Sequence, residues 1–294
     1  MGAALDLLVS ILDLEEIEMN IFRGRTPKED RVRVFGGQVA GQALVAAGRT
    51  VEDRVVHSLH AYFLRPGDPS IPILYQVDRI RDGRSFTTRR VVAVQRGNPI
   101  FNLSASFQAA EDGVEHALPM PEAPDPETLP TFKERVAPLI PQAPPELQRW
   151  LARERPIDVR YVEGHDYLKP TQRPPHQLVW IRADGRLPDT PLIHQYVAAY
   201  ASDMTLLDTI TLPHGISSLD QRTWQMASLD HAMWFHRSFR ADEWLLYVQS
   251  SPVAAGARGF TRGTLYARDG RLVVSVAQEG LLRRRSSRPP GERG

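Results

Sequence analysis

The sequence predicts an α+β fold of two similar units, each an antiparallel meander preceded by a small-residue helix, and three observations predict it. The first is internal repetition. Ser58-Leu59-His60-Ala61-Tyr62-Phe63 resembles the run from Ser228 to Phe235 apart from one or two inserted residues, and Leu74-Tyr75 matches Leu246-Tyr247. Ser85-Phe86-Thr87 matches Gly259-Phe260-Thr261, and Phe107-Gln108 matches Ala277-Gln278. The second is turn chemistry: Asp82-Gly83, Gly97-Asn98-Pro99 and Asp269-Gly270 separate runs of strand character and favour hairpins between neighbours. The third is the stretch Gly36 to Gly48, filled with Gly and Ala. Such a helix has weak intrinsic propensity at its glycines but lets other backbone approach closely, as a helix wrapped by a curved sheet requires.

Taken in order, Met1 to Glu16 alternates acids and leucines at helical spacing and reads as a folded helix. After the helix at Gly36 to Gly48, strands are expected over Val55 to Leu64, Ile73 to Arg81, Ser85 to Gln95 and Ile100 to Gln108. Residues 111–155 hold much of the proline and many charges, and read as a surface connection with one or two short helices. A second helix over Leu192 to Leu207 places Tyr196, Ala199, Tyr200 and Asp203 on one face, so that an inward stripe ends in a carboxylate. Strands follow over Trp224 to His236, Glu243 to Ser251, Arg258 to Ala267 and Leu272 to Leu282. The expected division is therefore 1–110, a connection over 111–155, 156–283, and a basic, proline-containing tail over 284–294 that reads as disordered.

Composition narrows the function. Thirty-six basic against 35 acidic residues give a net charge of +1, so there is no global field to steer nucleic acid, and any anionic ligand must be met locally. The absence of cysteine removes disulfides, thiolate nucleophiles and thiolate metal sites. No apolar run approaches a membrane span, and the N-terminus lacks the basic and apolar regions of a secretion signal. Position six is Asp6 where a myristoylation motif needs Ser or Thr, and Glu-Arg-Gly at the end is not a peroxisomal tripeptide, so a cytoplasmic protein is expected. There is no Gly-x-Ser-x-Gly elbow, His-Glu-x-x-His zinc site, Walker loop or dinucleotide glycine pattern; neither metal nor cofactor is expected.

Four segments carry a resemblance: Phe35-Gly36-Gly37-Gln38, the run from His57 to Gly67, Leu229-Asp230-His231-Ala232-Met233-Trp234-Phe235-His236-Arg237, and Ala254 to Phe260. In this order they resemble the acyl-CoA thioesterase II family over nearly the whole chain. The resemblance implies a double hot dog, in which two sheets, each curled around a long central helix, join into one. It implies hydrolysis of fatty acyl-CoA to free acid and CoA, with an Asp, a Thr or Ser and a Gln binding the attacking water. Those positions map onto Asp203, Ser228 and Gln278. Ser stands at 228 where relatives often carry Thr, and the hydroxyl is kept. The resemblance also implies association into a homodimer or homotetramer.

These residue types suit the chemistry. A thioester carbonyl is electrophilic enough to be attacked by a water that is aimed and whose proton has an acceptor. Asp203, partly desolvated at the end of an apolar face, is the expected base. Ser228 and Gln278 offer donors and acceptors that orient the water without titrating. Backbone N–H groups at a helix start can meet the oxyanion, which makes Gly37 and Gln38 the candidates. Taken singly, Asp203 reads as a cap or turn residue and Gln278 as a strand residue; the joint pattern carries the argument.

Ser58 and Gln108 echo Ser228 and Gln278, but the helix from Gly36 to Gly48 has no acid, so one competent site per chain is expected. Adjacent Asp230 and His231 point to opposite faces of a strand, against a shared acid–base site. Arg65, Arg84, Arg89, Arg90, Arg258 and Arg262 are candidates for the CoA phosphates or for solvated strand ends. Tyr62, Phe63, Trp234 and Phe235 read as core more readily than as acyl-pocket lining. Two rivals stand: a non-catalytic acyl-CoA binding protein, and an enoyl-CoA hydratase or dehydratase of the same fold. The latter pair Asp and His about five residues apart on a helix, and the helix of Asp203 has no such histidine.

Overall fold

A computed structural model of the chain describes residues 2–27, 32–164 and 168–285; the expected tail lies outside them from residue 286. Helix α1 (Ala3–Leu12) buries Leu5, Leu8, Ile11 and Leu12, at the three- and four-residue spacing that makes one face. Each such burial contributes about 2 kcal/mol. It ends four residues before the expected Glu16. There the chain becomes the exposed strand β1 (Glu15–Glu18), which turns through left-handed Asn20 into β2 (Ile21–Gly24). With both faces of β1 exposed, no alternation marks it as a strand.

Helix α2 (Gly36–Gly48) has the expected bounds. Strands β3 (Val55–Phe63), β4 (Ile73–Asp82), β5 (Phe86–Gln95) and β6 (Asn98–Gln108) follow; only β4, β5 and β6 form the expected meander, since β3 pairs with β6 instead of β4 and lies at the centre of the whole sheet. The turn from β5 to β6 is a two-residue loop with Arg96 and Gly97 both at positive φ, the geometry whose twist suits a hairpin. Residues 111–155 carry the short helices α3 (Phe132–Val136) and α4 (Pro145–Ala152), and do more than connect. Met120, Ala123 and Leu129 pack on Trp180, Trp244, Leu246 and Tyr266, covering the outer face of the second half of the sheet. Trp244 donates to Glu127 at 2.8 Å, and its ring meets the guanidinium groups of Arg160 and Arg182 at 4.9 and 4.1 Å.

Strands β7 (Ile157–Tyr161) and β8 (His176–Ala183) lead to helix α5 (Pro191–Ser202). The expected strand Trp224 to His236 is broken at Leu229 into β9 (Trp224–Ser228) and β10 (Asp230–Phe235), and β11 (Leu245–Ala255), β12 (Arg258–Ala267) and β13 (Leu272–Arg284) complete the sheet. Strand β13 continues through Arg284, the first residue of the segment expected to be tail.

The described strands form one 13-stranded antiparallel sheet, ordered β1-β2-β4-β5-β6-β3-β10-β13-β12-β11-β8-β7, with β9 also on β13. Reading outward from the central β3–β10 pair gives the same succession on either side, so a pseudo-twofold relates the halves. This is the double hot dog. Register corrects one part of the repeat: Thr87 pairs with Phe107, as Thr261 pairs with Gln278. Phe107, not Gln108, therefore occupies the place of Gln278. Ser58 faces Trp234 within the central pair, whereas Ser228 lies beyond the break, on β9.

Two glycines of α2, Gly37 and Gly41, meet backbone of the partner helix α5. A Cβ on Gly37 would lie 2.3 Å from the carbonyl oxygen of Tyr200, and one on Gly41 3.3 Å from that of Tyr196. Contacts that run up α2 while running down α5 make the helices antiparallel, and set the start of α2 against the end of α5. No helix among the described residues is long and apolar enough to cross a membrane.

Candidate active site

Helix α5 stops at Ser202 instead of continuing to Leu207, and Asp203 is its C-terminal cap, with φ −83° and ψ −2°. The groups that end it come from the strands. Tyr247 donates its hydroxyl to the Ser202 carbonyl at 3.2 Å. Gln177 donates to the Thr205 carbonyl at 3.1 Å and to Gln249 Oε1 at 2.6 Å, and Gln249 donates to Thr205 Oγ1 at 2.6 Å. Carbonyls that further helical turns would have satisfied are met by buried side chains, so the chain leaves the helix with Asp203 held outward.

A bulge positions the other two residues. Ser228 pairs with Gly280, but the pairing resumes as Ala232 with Ala277, so the β9–β10 side carries one residue more. A bulge bends a strand and re-aims its side chains. Ser228, diagonal to Gln278 across the pair, shares its face, which in a uniform strand would exclude His231 three residues on.

The result is direct contact. Ser228 donates to Asp203 Oδ1 at 2.9 Å, and Gln278 donates through Nε2 to Asp203 Oδ1 at 2.8 Å and to Ser228 Oγ at 2.5 Å. Asp203 Oδ2 lies beside Gly36, where a Cβ would approach it to 2.6 Å. The α2 N-terminus has no side-chain cap, and its first helical hydrogen bond is Val39 N–H to the Phe35 carbonyl, so the N–H groups of Gly36, Gly37 and Gln38 are outside the helical ladder. The positive end of the α2 dipole thus faces the carboxylate. The Gln38 side chain turns away, donating to Arg25 O and Thr26 Oγ1, which leaves only its backbone N–H for the site.

Comparison with known proteins identifies the family. A family profile described as acyl-CoA thioesterase matches residues 148–281, and one described as acyl-CoA thioesterase N-terminal domain matches residues 25–108. The chain is 44% identical over 286 residues to acyl-coenzyme A thioesterase 8 of Homo sapiens, covering 94% of this chain and 89% of that protein. The chain belongs to the acyl-CoA thioesterase family. Within the family it is 38% identical to acyl-CoA thioesterase 2 of Haemophilus influenzae, over 96% of this chain and 99% of that protein. The crystal structure of an acyl-CoA thioesterase II from Mycobacterium marinum is 45% identical and superposes with a TM-score of 0.77, covering 97% of this chain and 100% of that one.

In this member of the acyl-CoA thioesterase family the arginine candidates separate. Arg89 is enclosed, donating to Thr50 Oγ1 at 2.8 Å and to Asp82 at 2.6 Å, and cannot reach a solvent-borne phosphate. Arg90 pairs with Asp78 and Arg258 with Glu279, while Arg65 donates to Pro99 O and Arg262 to Ser250. The aromatics separate too: Phe235 is core, Phe63 packs against Gly36, and Tyr62 is exposed on the outer face.

Sequence reasoning missed Ser202, Tyr247, Gln177 and Gln249, buried residues that hold the site from behind, and weighed His231 only as half of a pair with Asp230. Their signal was burial of polar groups, on strands and, for Ser202, at the end of α5, and that burial becomes visible only once the sheet is paired.

Asp208, in the 3₁₀ turn Leu206–Ile210, adds a pH dependence. The residue is partly exposed, but burial of its carboxyl raises its pKa from 3.8 to about 7, opposed by a hydrogen bond with Ser218. Between those values the folded chain holds a proton that the unfolded chain has lost. The stability it contributes is full below pH 3.8 and is lost as pH rises through about 7, on the order of 4 kcal/mol at the limit. Asp208→Asn does not titrate; it should melt well above the unsubstituted chain at pH 8, and the gap should close toward acid. Parallel curves of Tm against pH for the two proteins would contradict this.

Proposed function

We propose that this chain hydrolyses fatty acyl-CoA to free fatty acid and CoA by direct attack of a water that Asp203 activates and Ser228 and Gln278 orient. The observation that carries the reading is the mutual contact of these three side chains, brought from 75 residues apart in sequence, at the positive end of α2. Asp203 accepts the proton of the attacking water as the new C–O bond forms. The carbonyl oxygen becomes an oxyanion, which the backbone N–H groups of Gly37 and Gln38 stabilise in a site that the α2 dipole makes positive. Collapse breaks the C–S bond and releases CoA as thiolate, which takes up the proton. No covalent acyl-enzyme is needed, because the water, once aimed and deprotonated, attacks the thioester carbonyl directly.

A thiol-release assay over acyl-CoAs from short to long chains tests the reading. We expect free CoA to appear with unaltered acyl unsaturation, and Gln278→Ala to lower kcat by about 10²-fold, since an unaimed water loses most of the benefit of orientation. Acyl-CoA binding without CoA release would support the non-catalytic alternative, and a change in unsaturation with the thioester intact would support a hydratase. Assembly into a dimer or tetramer and a cytoplasmic setting belong to the same proposal; sedimentation velocity and cell fractionation test them.

A further inference from the structure

We propose that His231 is a positioning residue for Gln278: its Nδ1–H donates to Gln278 Oε1 and so turns the amide with Nε2 toward Asp203 and Ser228. The inference rests on the proposed hydrolytic role of that trio and adds a residue to it.

An amide has nearly the same shape after a half-turn, so packing alone does not choose which end faces a carboxylate. In the observed orientation Nε2 donates to Asp203 and Ser228. The other orientation presses Oε1 against the Asp203 carboxylate and loses both bonds. A donor on the far side of the amide would hold the same orientation against movement of Asp203, and there Oε1 is buried without a hydrogen-bond partner.

His231 occupies that far side. Continuing the register Met233–Val276 and Ala232–Ala277 by one residue places His231 across from Gln278, on the inner face. The imidazole is fully buried, and its Nδ1 is likewise buried without a hydrogen-bond partner. Its other nitrogen, Nε2, lies 2.8 Å from Ser202 Oγ.

The tautomer follows from what remains unpaired. Besides Met233 Sδ, a weak acceptor at 3.4 Å, Ser202 has two oxygen or nitrogen acceptors in reach, His231 Nε2 at 2.8 Å and the Ala199 carbonyl at 3.2 Å. Donation to the nearer one leaves the imidazole proton on Nδ1, facing Oε1. The opposite tautomer would set two acceptors against each other inside the protein, each deprived of water, an arrangement that buried polar groups avoid. Burial pushes the His231 pKa below its ordinary value, against the opposing charges of Asp203 and Asp230 and the polar side chain of Gln278, which favours a neutral ring with one proton to place. Asp230 is otherwise engaged, accepting from the Glu279 N–H at 2.6 Å. Ser202 precedes Asp203 in the chain, so Ser202, His231, Gln278 and Asp203 close a ring in which the imidazole registers the amide against the end of α5.

Steady-state thiol release by the full chain tests this with three substitutions. His231→Leu should lower kcat roughly 100-fold with KM changed less than about threefold, since misaiming a catalytic group acts on the chemical step. Asn carries an N–H close to the Nδ1 position and Gln carries one close to Nε2, so His231→Asn should recover most of the loss and His231→Gln should not. A role in folding alone would not separate Asn from Gln, and this comparison stands even if the Leu variant fails to fold. In a Gln278→Ala background His231→Leu should cost nothing further, as for residues that act as one unit. Equal rates for Asn and Gln, or an undiminished loss in the Gln278→Ala background, would overturn the inference. Near-normal turnover by Gln278→Ala would instead overturn the underlying site, whereas a disabled Gln278→Ala beside a fully active His231→Leu would overturn the role of His231 alone.

Discussion

Asp203→Asn is expected to lower kcat for acyl-CoA hydrolysis by about 10³-fold, with KM within about threefold of its starting value. Asn keeps the shape and an acceptor at the Oδ1 position, where Ser228 and Gln278 donate, so the local packing survives. It lacks the basicity to take the proton of the attacking water. General bases contribute 10²–10⁴-fold, which makes the expected loss about 4 kcal/mol of transition-state stabilisation. Steady-state rates give kcat and KM, and calorimetry with a non-hydrolysable acyl-CoA analogue gives affinity. Turnover unchanged by this substitution would remove Asp203 as the base.

Gly37→Ala sets two effects against each other. Replacing a helical glycine by alanine gains about 1 kcal/mol of propensity. Against this, the new Cβ would stand 2.3 Å from the Tyr200 carbonyl oxygen, a backbone atom that cannot rotate aside. The helices must separate, and overpacking of this kind costs about 1–3 kcal/mol, more where backbone meets backbone. We expect a net destabilisation of about 2 kcal/mol and a Tm lower by about 5 °C. Tyr200 lies three residues before Asp203, so the carboxylate should shift as the helices part, and activity should fall further than the loss of folded protein explains. A Tm at or above that of the unsubstituted chain would show that the helices are less closely packed than their contact implies.

Much of the architecture could be read from the residues. The Gly and Ala content of Gly36–Gly48 marked a helix made for close approach, and Asp-Gly and Gly-Asn pairs marked hairpins. Both are local signals, set by backbone sterics at single positions. The strands β1, β2, β7 and β8 were not read: β1 is exposed on both faces, β2 has only four residues, the alternation of β7 lasts only five, and β8 has an unbroken apolar run, Leu178 to Ile181, that has no period of two. The echo of Gln278 in Gln108 failed by a single register step, which exchanges one face of a strand for the other. With Phe107 in that place and no acid on α2, the first half cannot repeat the site, in keeping with one competent centre per chain.

What the sequence determined by itself was the kind of parts: paired antiparallel units, a small-residue helix, and the family to which the motifs point. Each depends on residues near one another in the chain. Only the tertiary structure decided where α5 ends, where β9 parts from β10, and which side chains stand behind Gln278. Those outcomes depend on partners far away, since Gln177, Tyr247 and Gln249 satisfy the end of α5 while β13 fixes the bulge beside Ser228. Local pattern selects which faces are buried; pairing between distant strands selects what each buried polar group meets, and that meeting makes the site.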